Sequence, residues 1–127
     1  MDEIQYIDQL NRYSQAVVYQ GVAYIAGQVA ADSSAGIEGQ TRQVLERVDR
    51  VLESCATDKS RLLTASIYLK DLRDLDAFNL VWDSWVVPGR LPTRLPIEAK
   101  LAGTGYLVEV QVTAAVYGVL TNATPAR

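Results

Sequence analysis

Val108-Glu-Val-Gln-Val-Thr-Ala-Ala-Val116 is the stretch that decides the fold. Val108, Val110, Val112, Ala114 and Val116 alternate with Glu109, Gln111, Thr113 and Ala115, the period-two pattern of a strand with one buried face. A second run, Leu91-Pro-Thr-Arg-Leu-Pro-Ile-Glu-Ala99, sets Leu95, Ile97 and Ala99 against Arg94, Pro96 and Glu98. Alternation then sends Arg94 and Glu109 to the face turned away from the apolar side. A guanidinium to hold an anion and a carboxylate to handle water can meet there.

Toward the N-terminus, Ala16–Tyr19 and Val22–Val29 read as a strand pair joined by the tight turn Gln20-Gly21. After the loop Asp32–Gly36, the residues Ile37, Thr41, Val44, Leu45, Val48, Val51, Leu52 and Cys55 recur at spacings of three and four, which predicts an amphipathic helix. Its other face carries Arg42, Glu46, Arg47, Asp49, Arg50 and Glu53, read as solvent charges with Glu46 and Arg50 at the favourable i, i+4 spacing. Thr57–Ser60 breaks the helix and Leu62–Leu69 reads as a strand. Asp74 is expected to N-cap a second helix with the stripe Leu75, Phe78, Trp82 and Trp85, ended by Pro88-Gly89.

With a short extra strand at Ile4–Ile7, the order predicts an α+β fold: one mixed sheet of five to six strands with two helices on one face. The other face would show Tyr24, Ala26, Gln28, Ser66, Tyr68, Gln111, Thr113 and Ala115, small or weakly polar residues poorly suited to water. A partner subunit is expected to cover it.

The chain of 127 residues is expected to be one domain over 1–127, with an N-terminal segment at 1–12 and a tail at 118–127. Its 49% hydrophobic and 21% charged residues are those of an ordinary globular protein, and no apolar run approaches a membrane span. The acidic opening Met1-Asp-Glu-Ile-Gln lacks a signal-peptide pattern, so a cytoplasmic location is the expectation. Asn122-Ala-Thr124 matches a glycosylation acceptor, read here as tail. A net charge of −3 with scattered Lys and Arg argues against nucleic acid as a partner. With no His and one Cys, zinc sites and His-based triads are excluded. Chemistry falls to Arg, Glu, Asp, Tyr, backbone groups and water.

The chain resembles the Rid family, the reactive-intermediate deaminases also called RidA/YjgF. The resemblance runs from about Tyr13 to Val116 and is carried by Tyr13-Ser-Gln-Ala-Val17, Tyr24-Ile-Ala-Gly-Gln-Val29, the run Ser60–Asp71, Asn79 with Trp82, Pro92-Thr-Arg94 and Val108-Glu-Val110. It implies a chorismate mutase-like homotrimer with sheets inside, helices outside and ligand clefts between subunits. It also implies hydrolysis of 2-imino acids, such as 2-iminobutanoate and 2-iminopropanoate, to 2-keto acids and ammonia without metal or organic cofactor. On the same resemblance Arg94 grips the substrate carboxylate, Glu109 positions water, Tyr13 is the N-terminal site tyrosine, and Gly27 lines the pocket through its backbone.

Two pocket positions depart from the pattern. Ala26 stands where well-studied deaminases have a serine, and Pro96 where they have a cysteine whose N–H meets the ligand; proline has none. A divergent subfamily with another ligand follows, or a non-catalytic trimer that binds a small carboxylate in a regulatory or partner-stabilising role. Blander readings stand beside each site role: Arg94 paired with Glu98, Glu109 in an interface ion pair with a neighbour's Arg90 or Lys100, Tyr13 an interface aromatic, Gly27 a strand bend. Cys55 reads as an inert core thiol and Trp82 and Trp85 as core. Asp71, Asp74 and Asp76 read as a cap and solvated acids rather than a metal cluster.

Overall fold

The computed structural model describes residues 3–117; the tail at 118–127, with its Asn122-Ala-Thr124 acceptor, lies outside the described residues. The strands are β1 (Gln5–Gln9), β2 (Ser14–Tyr19), β3 (Val22–Ile25), β4 (Leu62–Leu69), β5 (Thr93–Glu98) and β6 (Val108–Ala115), with helices α1 (Ile37–Ser54) and α2 (Leu75–Trp85). They form one six-stranded mixed sheet in the order β1-β2-β3-β6-β4-β5, parallel only between β4 and β5. The β2–β3 turn uses Gln20 and Gly21, both at positive φ, as a two-residue hairpin of the sheet's own twist demands.

The central strand β6 behaves as its alternation requires. Val108, Val110, Val112 and Ala114 are buried against the helices together with Ala65, Ile67 and Leu69 of β4. The α1 stripe supplies Val44, Leu45, Val48 and Leu52 from above, and α2 adds Phe78, which no solvent reaches. Phe78 stacks on Trp82 with centroids 5.8 Å apart, and Trp82 meets Trp85 at 5.5 Å. The Trp85 indole N–H donates to both carboxylate oxygens of Asp49, at 3.1 and 3.0 Å, tying the two helices together. Asp49 is thus a structural acceptor rather than a solvent charge.

One expectation about helix capping changes. Asp74 makes no side-chain cap; instead the Asp71 carboxylate accepts from the Arg73 N–H at 2.9 Å and opens a 3-10 turn, Leu72–Asp74, that runs straight into α2. The Arg73 guanidinium also binds Asp71 and holds its carboxyl down at about 2. Gln40 lies on the apolar side of α1 and is fully buried. Its amide donates to the carbonyls of Ser33, Ala35 and Gly105 and accepts from the Leu107 N–H, pinning the loop that delivers the chain to β6.

Among the described residues no helix covers the sheet's second face. Along one row Tyr6, Val17, Tyr24, Thr113 and Thr64 lie side by side across five strands. Tyr6 is 58% and Tyr24 48% exposed. The Thr64 and Thr113 hydroxyls bond each other at 2.6 Å. Gln28, expected on this face, is buried instead, for a reason given below.

Phe78→Ala should cost about 3–5 kcal/mol by opening a cavity at the α1–α2–sheet junction, read as a lowered midpoint in urea unfolding. Cys55 is buried at the end of α1, and burial first and the nearby Asp8 charge second push its thiol pKa up. Native protein should therefore react slowly with a disulfide reagent at pH 8, and unfolded protein fast.

Candidate functional site

Arg94 is not where alternation alone puts it. The parallel pairing sets Arg94 beside Ala65, Pro96 beside Ile67 and Glu98 beside Leu69, so these three face the helices. Leu95 and Ile97 face the open side, and Leu95 is 57% exposed. The cause is local: β5 is the margin of the sheet, and the end of α2 above it presents polar and aromatic groups rather than aliphatic ones. The Arg94 guanidinium lies 5.4 Å from the Trp82 ring centroid, and its Nη1 donates to the Asn79 side-chain oxygen at 2.7 Å. Among the described residues no carboxylate pairs with it; Glu98 instead accepts from the Leu72 N–H.

Glu109 lies on the opposite face. On β6 it pairs with Tyr68, while the Arg94 row crosses β6 at Val112. The two backbones are therefore two strands and three residues apart, on the order of 14 Å, with side chains on different sides of the sheet. Within one chain Arg94 and Glu109 do not meet.

Gly27 and Glu109, by contrast, do. The pairing of Tyr24 with Thr113, carried on without interruption, would set Gln28 opposite Glu109; instead Gln28 bridges Val110. One extra residue is accommodated after Ile25, a bulge of the kind that re-aims side chains. It ends β3 four residues short of the expected Val29. The bulge turns Gln28 inward to 6% exposure, where its amide donates to the Gln15 side chain and the Ala26 carbonyl, both at 3.0 Å. Gly27 is left outermost, directly against Glu109: a Cβ added there would fall on the Glu109 carboxylate. That carboxylate has no hydrogen bond or ion pair among the described residues.

A cleft of about 320 Å³ opens beside the bulge. Tyr13 and Gly27 line it with Gln15, Gln28 and Arg47. Tyr13 is half exposed just before β2, and its carbonyl accepts from the Leu10 N–H at 2.7 Å. Ala26 donates its N–H to the Gln15 carbonyl at 2.8 Å and so fixes the strip that carries Gly27. Arg47, read from sequence as a solvent charge, reaches the Val29 carbonyl from α1 at 2.9 Å. Pro96 sits on edge strand β5, where a missing N–H interrupts least.

The structure therefore sorts the expected residues into two groups. Tyr13, Ala26, Gly27 and Glu109 cluster around the bulge; Arg94 and Pro96 lie at the far edge of the sheet. Sequence reasoning missed Gln28 as a buried organiser and Arg47 as a cleft residue. The available signal for Gln28 was a polar residue closing an otherwise apolar strand.

Comparisons with known proteins agree on one family. Residues 3–116 match the family described as Endoribonuclease L-PSP. A RutC family protein from Haemophilus ducreyi is 46% identical over 110 residues, covering 87% of this chain and 94% of that one. The RutC family protein YoaB of Escherichia coli is 38% identical over 110 residues, covering 87% and 96%. Among solved structures, a member of the YjgF protein family from Neisseria meningitidis is similar with a TM-score of 0.88 at 39% identity, covering 91% of this chain and 97% of that one. Taken with the six-stranded mixed sheet and its two helices, these matches show that the chain belongs to the RidA/YjgF family, the Endoribonuclease L-PSP family of proteins.

Proposed function

We propose that the protein hydrolyses reactive 2-imino acids, or their enamine tautomers, to 2-keto acids and ammonia at clefts shared between the subunits of a homotrimer. One observation carries this reading: among the described residues Arg94 and Glu109 are each without an opposite charge, yet stand on opposite faces and at a distance within one chain. They can act on one ligand when β5 of one subunit closes over the Gly27 bulge of the next. The exposed Tyr6, Tyr24 and Leu95 on the uncovered face supply apolar surface for that contact.

In such a cleft Arg94, braced by Asn79 and Trp82, takes the substrate carboxylate through its planar fork. Glu109 accepts a hydrogen bond from water and aims it at C2 of the imine. The water oxygen bonds to C2 while its proton passes through Glu109 to nitrogen. The C–N bond of the resulting carbinolamine then breaks, ammonia leaves, and the carbonyl forms as the hydroxyl proton is lost. A protonated imine is already electrophilic, so positioning is most of what catalysis needs. The uncatalysed reaction is the background to be beaten.

Ala26 and Pro96 support a second reading, a trimer that binds a small carboxylate without turnover. Pro96 removes a donor that would contact the ligand at the β5 edge, a loss of about 1.5–3 kcal/mol for a charge-assisted bond. Binding of 2-keto acids without any acceleration of imine loss would favour this reading.

Imines generated in situ from 2-aminobutanoate or alanine should disappear faster with protein than without it; equal rates for both would overturn the proposal for these substrates. Arg94→Ala should lower kcat/KM about 10- to 150-fold, the equivalent of one charge-assisted bond. Gly27→Ala should displace the Glu109 carboxylate and cut turnover with little change in Tm. Subunit sharing has its own assay: Arg94→Ala and Glu109→Gln chains, each impaired alone, are unfolded together and refolded. About a quarter of the sites should then regain both residues, since each site draws them from neighbouring subunits at random. No regain of activity would count against a shared cleft.

A further inference from the structure

At the end of β6 far from Glu109, two arginines stand together without an acid. A cleft of about 280 Å³ opens there between the starts of β4 and β5 and the end of β6, and its lining includes Ser60, Arg61, Leu63, Arg90, Leu91 and Ala115. Ala115 is six residues along the strand from Glu109, about 20 Å at the rise of a strand. The cleft is therefore separate from the Gly27 bulge. No Asp or Glu lines it, so in a chain of net charge −3 it is a local concentration of positive potential.

Among the described residues no carboxylate forms an ion pair with Arg61 or Arg90. Arg90 donates from Nε to the Ser60 carbonyl at 3.0 Å, which brings its guanidinium to the residue just before Arg61 and leaves both Nη groups without an acceptor among the described residues. The Arg61 guanidinium lies 4.5 Å from the Tyr117 ring centroid. Its Nε is buried and is the one buried side-chain polar atom among the described residues with no hydrogen-bond partner. Asp58 attracts Arg61 through space, but its Oδ1 accepts from the Ser60 N–H at 2.8 Å and from the Ser60 hydroxyl at 2.5 Å, outside the lining of the cleft. A half-buried cation with an unmet donor is costly unless an anion comes beside it.

We infer that the Arg61–Arg90 cleft binds a small phosphate anion, free or as a short phosphomonoester. One guanidinium fork satisfies a carboxylate, whereas phosphate carries close to two charges and enough acceptor oxygens for both arginines. Both are held before the ligand arrives, Arg61 against Tyr117 and Arg90 on the Ser60 carbonyl, which lowers the ordering cost of using them. The volume lies just below the range of ordinary ligand pockets, room for phosphate and a few carbons and too little for a nucleotide. Leu63 and Leu91, both exposed, offer apolar contact to such a short chain. This site stands whether or not the protein hydrolyses imines.

The test is calorimetry on the full chain with inorganic phosphate and with glycerol 3-phosphate, with acetate at equal ionic strength as the control. Wild type should bind at least one of the two phosphates more tightly than acetate. Arg61→Gln and Arg90→Gln should each weaken that binding about 10- to 150-fold, the range for one charge-assisted hydrogen bond, and Arg61→Lys should keep part of it. Arg94→Ala should leave it unmoved. Tighter binding of inorganic phosphate marks the free ion as ligand and tighter binding of glycerol 3-phosphate marks an ester; either supports the site. No detectable binding of both, or binding no tighter than that of acetate, overturns it. So does binding that Arg94→Ala abolishes and the two glutamine variants leave unmoved, which would put the anion at Arg94. Arg90 is exposed, so Arg90→Gln should fold and carries the test even where Arg61→Gln does not.

Discussion

Both crossover connections travel the same way across the sheet. Helix α1 carries the chain from β3 over β6 to β4, and α2 carries it on from β4 to its parallel neighbour β5. Crossovers between parallel strands are right-handed almost without exception, so two that step in the same direction must lay their helices on the same face. Much else follows from this constraint. The core lies between the helices and the inward residues of β4 and β6, while the second face keeps its tyrosines, threonines and Leu95 in the open. Edge strand β5 ends up with one side under α2 and the other uncovered by the described residues.

The bulge at Gln28 does for the local chemistry what the crossovers do for the architecture. An unbroken ladder would have buried Gly27 and placed Gln28 against Glu109. The inserted residue exchanges those roles: a long polar side chain goes inward, where Gln15 and Ala26 satisfy it, and the smallest residue comes out against the carboxylate. Among the described residues no donor reaches the Glu109 carboxylate, which lies directly against Gly27. On the far margin Arg94 likewise pairs with no acid among the described residues but is braced by Asn79 and Trp82.

How legible this was in the sequence depended on whether a pattern carried a sign. Spacings of three and four identified α1, and alternation identified β6, because a long stripe has only one way to be buried. The uncovered sheet face was also legible, since two helices cannot cover both sides. On β5, alternation showed that Arg94, Pro96 and Glu98 share a side but not which side. The answer lies in the parallel pairing to β4, and Leu95 and Ile97 misled by being apolar on a face with no core of its own chain. Gln28 was misplaced because a bulge is a property of two strands, visible only when the partner register is known. The cap moved from Asp74 to Asp71 because a 3-10 turn precedes α2, and both positions hold the same residue type. Arg47 and Asp49 are charges on the polar side of a helix, and only tertiary contact separates such residues from solvated ones.

The strand order carries a consequence for how the chain becomes folded. β6 is the last strand of the described residues, yet it lies in the middle of the sheet, bonded to β3 on one side and β4 on the other. Until residues 108–115 exist, β1–β3 and β4–β5 are two ribbons with no ladder between them, and the helices have no continuous floor to pack on. Synthesis from the N-terminus thus withholds the keystone until nearly the whole described chain has been made. Such non-local closure slows folding and makes it all-or-none. A chain interrupted just before Val108 keeps most of its residues and loses the strand that joins the two ribbons into one sheet.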